Sequence, residues 1–119
     1  MSKVSGITDF IEAGIKAENL RQKSIANNIA NLETPNYRRI DVKFEELLAR
    51  SLDSDGSADL DDINLEFYSP KSTPLNSNGN DVNLETEVGE LVKNSLRYKT
   101  YIRILNKKYA QIALAMDIK

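Results

Sequence analysis

Chemistry needs particular side chains within reach of one another, and this chain offers few. It has no histidine and no cysteine. That removes the commonest general base, the commonest metal ligand and the thiolate nucleophile. No disulfide framework can form. Adjacent carboxylates occur at Glu45/Glu46 and Asp61/Asp62. Neither pair lies in a stretch apolar enough to raise a carboxyl pKa for acid catalysis. Asp59, Asp61 and Asp62 bunch together, but the full calcium-loop pattern with its central glycine and terminal Glu is absent. They read as a solvated acidic loop. There is no glycine-rich phosphate loop, and nothing in the sequence points to a Ser–Lys dyad. The sequence predicts no catalytic residue, no cofactor and no metal.

The unusual polar residues are amides. Residues 24–37 begin as a helix and end as a turn. Ile25, Ile29 and Leu32 share one helical face, and Ala26 and Ala30 beside it let another backbone approach. Asn27, Asn28 and Asn31 crowd the end of that helix. Asn is poor in a helix interior because its amide competes for backbone groups. Near a terminus it can satisfy free carbonyls and brace the next turn. Pro35 stops the helix and biases Thr34 toward an extended conformation.

The element behind this turn is a helix over residues 5–32. Val4, Ile7, Ile11, Ile15, Ile25, Ile29 and Leu32 form one stripe, interrupted by Glu18 and Gln22. Phe10, Ala13, Ala17 and Leu20 form a second strip. A helix with two apolar faces meets more than one partner or sits in a bundle. Gly14 lies on the main stripe. It marks either a close helix approach or a tolerated glycine costing about 1 kcal/mol of propensity.

Beyond Pro35, residues 37–42 can run extended, with Arg38 and Arg39 read as solvated surface. Residues 44–52 read as a short amphipathic helix with Phe44, Leu47, Leu48 and Leu52 inward. Residues 53–83 are acidic, carry Pro70 and Pro74, and read mostly as loop. Within them residues 63–68 alternate at strand period, so a pairing with residues 37–42 is expected. Residues 78–84 form a turn into a last helix, with Asn83 as N-cap and Glu85, Glu87 and Glu90 suiting the helix dipole.

That last helix, residues 84–119, carries the strongest periodicity. Leu84, Val88, Leu91, Ser95, Tyr98, Ile102, Leu105, Tyr109, Ile112 and Met116 step by four and three in turn, a heptad seam with one polar member, Ser95. Tyr98, Ile102 and Leu105 are expected against the first helix. Lys93, Arg97, Lys99, Arg103, Lys107 and Lys108 read as the outer face of a coiled coil rather than a nucleic-acid stripe. Contact with the acidic loop is the remaining reading of those cations.

The chain is 119 residues long with a formal net charge of −2, enough for one small domain and no strong pull toward nucleic acid or membrane. Five tyrosines and three phenylalanines are its only aromatic residues, so a large core is not expected. No apolar run approaches the roughly 18 residues of a membrane span. The first residues lack the pattern of a cleaved secretory signal, which alone predicts a cytoplasmic protein. The fold expected is one mainly α domain. Long N- and C-terminal helices (1–32 and 84–119) pair as a coiled-coil hairpin. Between them residues 33–83 hold a turn, a short amphipathic helix and an irregular loop with room for a short β pair.

Asn27, Asn28, Ile29, Ala30 and Asn31, then Thr34, Pro35 and Tyr37, resemble the N-terminal signature of bacterial flagellar axial proteins. Many members carry glycine where this chain has Asn36, and Asn tolerates the left-handed turn expected there. Residues 79–85, Glu87 and residues 94–98 resemble the C-terminal signature of small proximal-rod members. The resemblance covers roughly residues 1–52 and 79–119, and this chain has no room for the inserted domains of larger axial proteins. It implies a structural, non-enzymatic subunit of the flagellar basal body, exported through the flagellum's own type III channel into the periplasmic rod without a cleaved signal. The implied partners are copies of itself, other rod and basal-body proteins and, in transit, the export apparatus. No nucleic acid and no stable membrane insertion are expected. The competing readings are another small rod subunit of that family, or a soluble helical adaptor or chaperone.

Overall fold

The computed structural model describes residues 3–53 and 65–117. The acidic stretch containing Asp59, Asp61 and Asp62 lies outside them, as do Ile63 and the side chains of Val4 and Leu52. Two helices dominate. The first, α1, is Lys3–Ala30, and the last, α3, is Leu84–Asp117. At about 1.5 Å per residue they are roughly 42 and 51 Å long. They run antiparallel: Asn28 meets Glu87, Glu18 meets Asn94, and Gly14 meets Tyr101. The molecule is an elongated slab of 67 × 30 × 14 Å.

Both helix ends follow from local chemistry. Asn83 caps α3, its Oδ1 accepting the Thr86 amide at 3.1 Å. At the end of α1 the chain turns at residues 34–37. The Tyr37 amide donates to the Thr34 carbonyl, with Pro35 second and Asn36 third at φ 63°. This is the arrangement of a type II turn, which needs positive φ at its third position. The left-handed Asn36 expected from sequence is therefore present.

The middle segment sits on the side of the hairpin. Strand β1 (Asp41–Val42) pairs antiparallel with β2 (Phe67–Tyr68), Asp41 opposite Tyr68 and Val42 opposite Phe67. This is the pairing anticipated from the alternation. The short helix α2 is Glu45–Asp53. Phe44, just before it, is 1% exposed and anchors it, with Leu47 and Leu48 half-buried.

The core departs from the sequence reading in two respects. Ile11, Ala17, Ile25, Val42, Phe44 and Val82 are its buried apolar members, so both strips of α1 contribute. Ile7 and Phe10 remain 43% and 38% exposed. Glu18, expected to break the inward stripe, is instead 1% exposed and lies within it. The hairpin centre is polar, with Glu18 hydrogen-bonded to Asn94 and Arg97 across it; Gln22 alone of the two faces solvent.

The α3 surface that α1 covers is displaced from the heptad seam. Glu87, Asn94, Tyr101 and Lys108 follow one another at seven-residue spacing. Glu87 and Asn94 are buried, and Tyr101 and Lys108 half-buried. The seam runs along the edge of this line. Leu91, Ile102 and Leu105 are half-buried, whereas Leu84, Val88, Tyr98, Tyr109, Ile112 and Met116 are each more than a third exposed. Tyr101, not Tyr98, is the aromatic side chain that inserts. Its ring lies edge-on to Phe10, with centroids 6.4 Å apart. A Cβ on Gly14 would come within 2.5 Å of its ring carbon. Gly14 is thus the close-approach point.

Candidate functional site: a buried polar junction at the closed end of the hairpin

Asn28 is the centre of the closed end and is fully buried. Its Nδ2 donates to the Ile40 carbonyl at 2.9 Å and to Glu87 Oε2 at 3.2 Å. Its Oδ1 accepts from the Ile40 amide and from the Tyr37 hydroxyl, both at 2.9 Å. All four hydrogen-bonding positions of the amide are used. One side chain therefore joins α1, the chain after the turn, and α3. The Tyr37 hydroxyl also accepts from Asn27 Nδ2 at 2.7 Å. Burial raises the Tyr37 phenol above its ordinary pKa, against the Asn27 hydrogen bond.

Asn31 braces the turn. Its Nδ2 donates to the Asn27 carbonyl at 2.8 Å, and its Oδ1 accepts from Thr34 Oγ1 at 3.1 Å. Ile29 is half-buried, while Ala30, Thr34 and Pro35 are exposed. The free carbonyls at the end of α1 find another partner, which the sequence reading did not single out. Asn80 Nδ2 reaches Asn31 O, Leu32 O and Thr34 O at 2.9, 3.2 and 2.8 Å. Its Oδ1 accepts the Val82 amide at 2.7 Å. The backbone closes the same seam: the Asn36 amide donates to Asn78 O, and the Asp81 amide to Tyr37 O. Gly79 has φ +80°, and a Cβ there would strike Asn36 Oδ1.

Arg39 corrects the expectation of a solvated basic pair. It is 8% exposed. Its Nε lies 2.7 Å from Glu87 Oε1, and its amide donates to Asp81 Oδ1 at 2.6 Å. Arg38 Nε stands 3.4 Å from Asp81 Oδ2. Burial alone would lower the Arg39 pKa; the hydrogen bond and charge of Glu87 outweigh it and hold the group above its ordinary value. A bare charge of this kind cannot be buried, so each cation is matched by Glu87 or Asp81.

A second polar layer lies about two turns further along the hairpin. Glu18 Oε1 accepts from Asn94 Nδ2 and Arg97 Nε, each at 3.1 Å. Its Oε2 accepts from Arg21 Nη1 at 2.6 Å, and Asn94 Nδ2 also donates to the Glu18 carbonyl at 2.7 Å. Arg21 continues to Glu45 at the start of α2. Of the six cations on α3, Arg97 is thus held inward by Glu18, and Lys93 pairs with Glu90 at 3.6 Å.

Sequence reasoning found Asn27, Asn28, Asn31 and the turn, which the structure brings together. It did not single out Glu18, Asn80, Asp81, Glu87, Asn94 and Arg39 as one buried set. A charged residue on an apolar stripe, as at Glu18, was the available signal. Among the described residues no cluster of three or more acidic side chains is placed to hold a metal ion. No described helix is long and apolar enough to cross a membrane.

A long antiparallel helix pair, closed by an asparagine-rich turn and carrying a small side segment, defines an elongated, mainly helical hairpin protein. Residues 12–38, which span the turn, match the family described as Flagella basal body rod protein. The Flagellar basal body rod protein FlgB of Bacillus subtilis (strain 168) is 30% identical over 118 residues, covering 92% of each chain. That of Borreliella burgdorferi is 32% identical over 108 residues, covering 76% of this chain and 80% of its own. That of Aquifex aeolicus is 29% identical over 87 residues, covering 70% of each. The chain belongs to the FlgB family of flagellar basal body rod proteins.

Proposed function

We propose that this chain is a structural subunit of the bacterial flagellar basal body, built into the proximal rod that carries torque from motor to hook and filament. Family membership supports this, and one structural observation carries the mechanism. The closed end of the hairpin is bolted by buried hydrogen bonds, while the apolar seam of α3 is left largely uncovered. A subunit of this kind holds its shape at one end and offers its helices to neighbours along the other. Torque passes through such a stack as shear between helices, and a junction that joins three chain segments at Asn28 resists that shear.

The partners in this reading are copies of the same chain and other rod and basal-body proteins, with the type III export apparatus met in transit. The chain acts in the periplasmic rod and reaches it without a cleaved signal peptide. No cofactor, metal or nucleic acid takes part, and the chain does not insert stably in the membrane. Asn27, Asn28, Asn31 and Tyr37 aim the middle segment toward an adjacent subunit. The seam residues Leu84, Val88, Tyr98, Tyr109, Ile112 and Met116 supply burial on assembly. Cell fractionation tests the reading. Co-purification with basal bodies is the expected result. Retention in the soluble fraction overturns it in favour of an adaptor or chaperone.

A further inference from the structure

The closed end of the hairpin depends on residues 76–81, and one dipeptide there is chemically labile. Asn78 is followed by Gly79. The backbone nitrogen after an asparagine can attack that side chain at Cγ, and glycine, lacking a Cβ, leaves the nitrogen unshielded. The fold needs this glycine all the same. Gly79 has φ +80°, and a Cβ on it would strike Asn36 Oδ1. In the folded turn both reacting groups are engaged elsewhere. The Gly79 amide donates to the Asn76 carbonyl at 3.0 Å, and Asn78 Oδ1 accepts the Asn80 amide at 3.2 Å. The Asn76 amide donates to the Asn80 carbonyl at 2.7 Å, so residues 77–79 form a three-residue hairpin loop that ends in a left-handed glycine. Two contacts clamp this loop to the end of α1. The Asn36 amide donates to the Asn78 carbonyl at 2.9 Å, and Asn80 Nδ2 reaches Asn31 O, Leu32 O and Thr34 O. Asn78 itself is only half-buried, so water reaches it.

We propose that Asn78 is a deamidation site gated by the closed end. The folded chain keeps it intact, and opening of residues 76–81 exposes it to conversion. In the open turn the Gly79 nitrogen gives its proton to solvent base and bonds to Asn78 Cγ. The Cγ–Nδ2 bond breaks, and Nδ2 takes up a proton and leaves as ammonia. Water then opens the cyclic imide at either carbonyl, leaving aspartate or isoaspartate at position 78. Water is consumed and ammonia released, with no oxidant or reductant. Isoaspartate routes the main chain through the former side chain and lengthens it by a methylene. The carbonyl that met Asn36 is then no longer in the main chain, and Asn80 falls out of register with the carbonyls of α1. A chain that has opened and converted therefore cannot re-form the same closed end.

The test ages the full-length protein at mildly alkaline pH, folded in buffer and unfolded in guanidinium chloride, at one temperature. Cleavage after lysines releases residues 72–93, and fragmentation in the mass spectrometer places the amide-to-acid change on Asn76, Asn78, Asn80 or Asn83. Asn78 should convert first in denaturant. In the folded protein it should convert more slowly by about tenfold or more, because only the fraction of chains with the turn open reacts. Asn80→Ala removes the clamp and leaves Asn78-Gly79 in place. It should convert faster than wild type in buffer and equally fast in denaturant. Converted chains returned to buffer should unfold at lower denaturant concentration than unconverted ones. Equal Asn78 rates in folded and unfolded wild type overturn the gating, as does a wild-type rate in folded Asn80→Ala. If circular dichroism finds Asn80→Ala unfolded, the two wild-type rates decide alone. Conversion of Asn76 ahead of Asn78 in denaturant overturns the site, and an unchanged unfolding midpoint after conversion overturns the loss of the closed end.

Discussion

At the scale of single residues, Asn28 and Asn27 make a controlled pair. Asn28 is buried with four hydrogen bonds, and Asn27 is an exposed neighbour with one side-chain bond to Tyr37. Asn28→Leu strands the Ile40 amide and carbonyl and one oxygen of Glu87. Each buried polar group left unpaired costs about 1–3 kcal/mol. Urea unfolding of Asn28→Leu is expected to show a loss of about 2–4 kcal/mol, and of Asn27→Ala under about 1 kcal/mol. Equal losses would mean that the amides act only as caps. Assembly of Asn28→Leu should fall further than its helicity does.

Glu45 supplies the pH test at the same scale. Burial would raise its carboxyl, but the Arg21 hydrogen bond, its backbone bond and the Arg21 charge outweigh this and hold it below its ordinary value. A depressed folded pKa contributes stability that is present above the unfolded value and is lost as pH falls through the folded one. The Glu45 side chain is 66% exposed, so solvent screens the pair and the effect is small. In acid titrations followed by thermal melting, Glu45→Gln should lose less stability than wild type as pH drops below the ordinary glutamate range. Identical acid limbs would show that the Arg21 contact contributes nothing.

At the scale of elements, two glycines within helices should respond in opposite directions. Gly89 faces open space on α3. Gly89→Ala should raise stability by about 0.5–1 kcal/mol through helix propensity. Gly14→Ala gains the same propensity but drives a methyl into the Tyr101 ring, and overpacking costs about 1–3 kcal/mol. Its melting temperature should fall or stay level, and Tyr101→Leu in the same chain should restore the gain. A plain increase for Gly14→Ala would mean that the two helices separate freely at this point.

At the scale of the whole molecule, the helices depend on each other. α3 on its own has little to hold it, since its buried side chains are Glu87 and Asn94 and their partners lie on α1 and after the turn. Isolated helices are marginal in water. Deleting residues 1–32 should strip most helicity from the C-terminal segment, read by circular dichroism per residue. In the free monomer, amide exchange should be slowest where residues 11–28 face residues 87–101 and fastest beyond residue 110. Those outer amides should become protected on assembly. Protection of the whole of α3 in dilute monomer would argue against a subunit completed by its neighbours.

The chain's periodicities were enough to place its elements. Threes and fours in the spacing of apolar residues set α1 and α3, alternation set the β1–β2 pair, and the clustered amides with Pro35 set the turn. Such local signals are carried by residues near one another in sequence, so they can be read without a fold. Which face of each helix is buried was decided only in three dimensions. The heptad seam would have served α3, but α1 packs one residue to its side because Glu18 and Asn28 need Asn94 and Glu87 there. Arg39 is buried for the same reason, its countercharge lying 48 residues away. A polar side chain is priced by its partner, and a partner distant in sequence leaves no periodic trace. Tertiary structure alone could pair these groups, and in doing so it left the apolar seam of α3 facing outward.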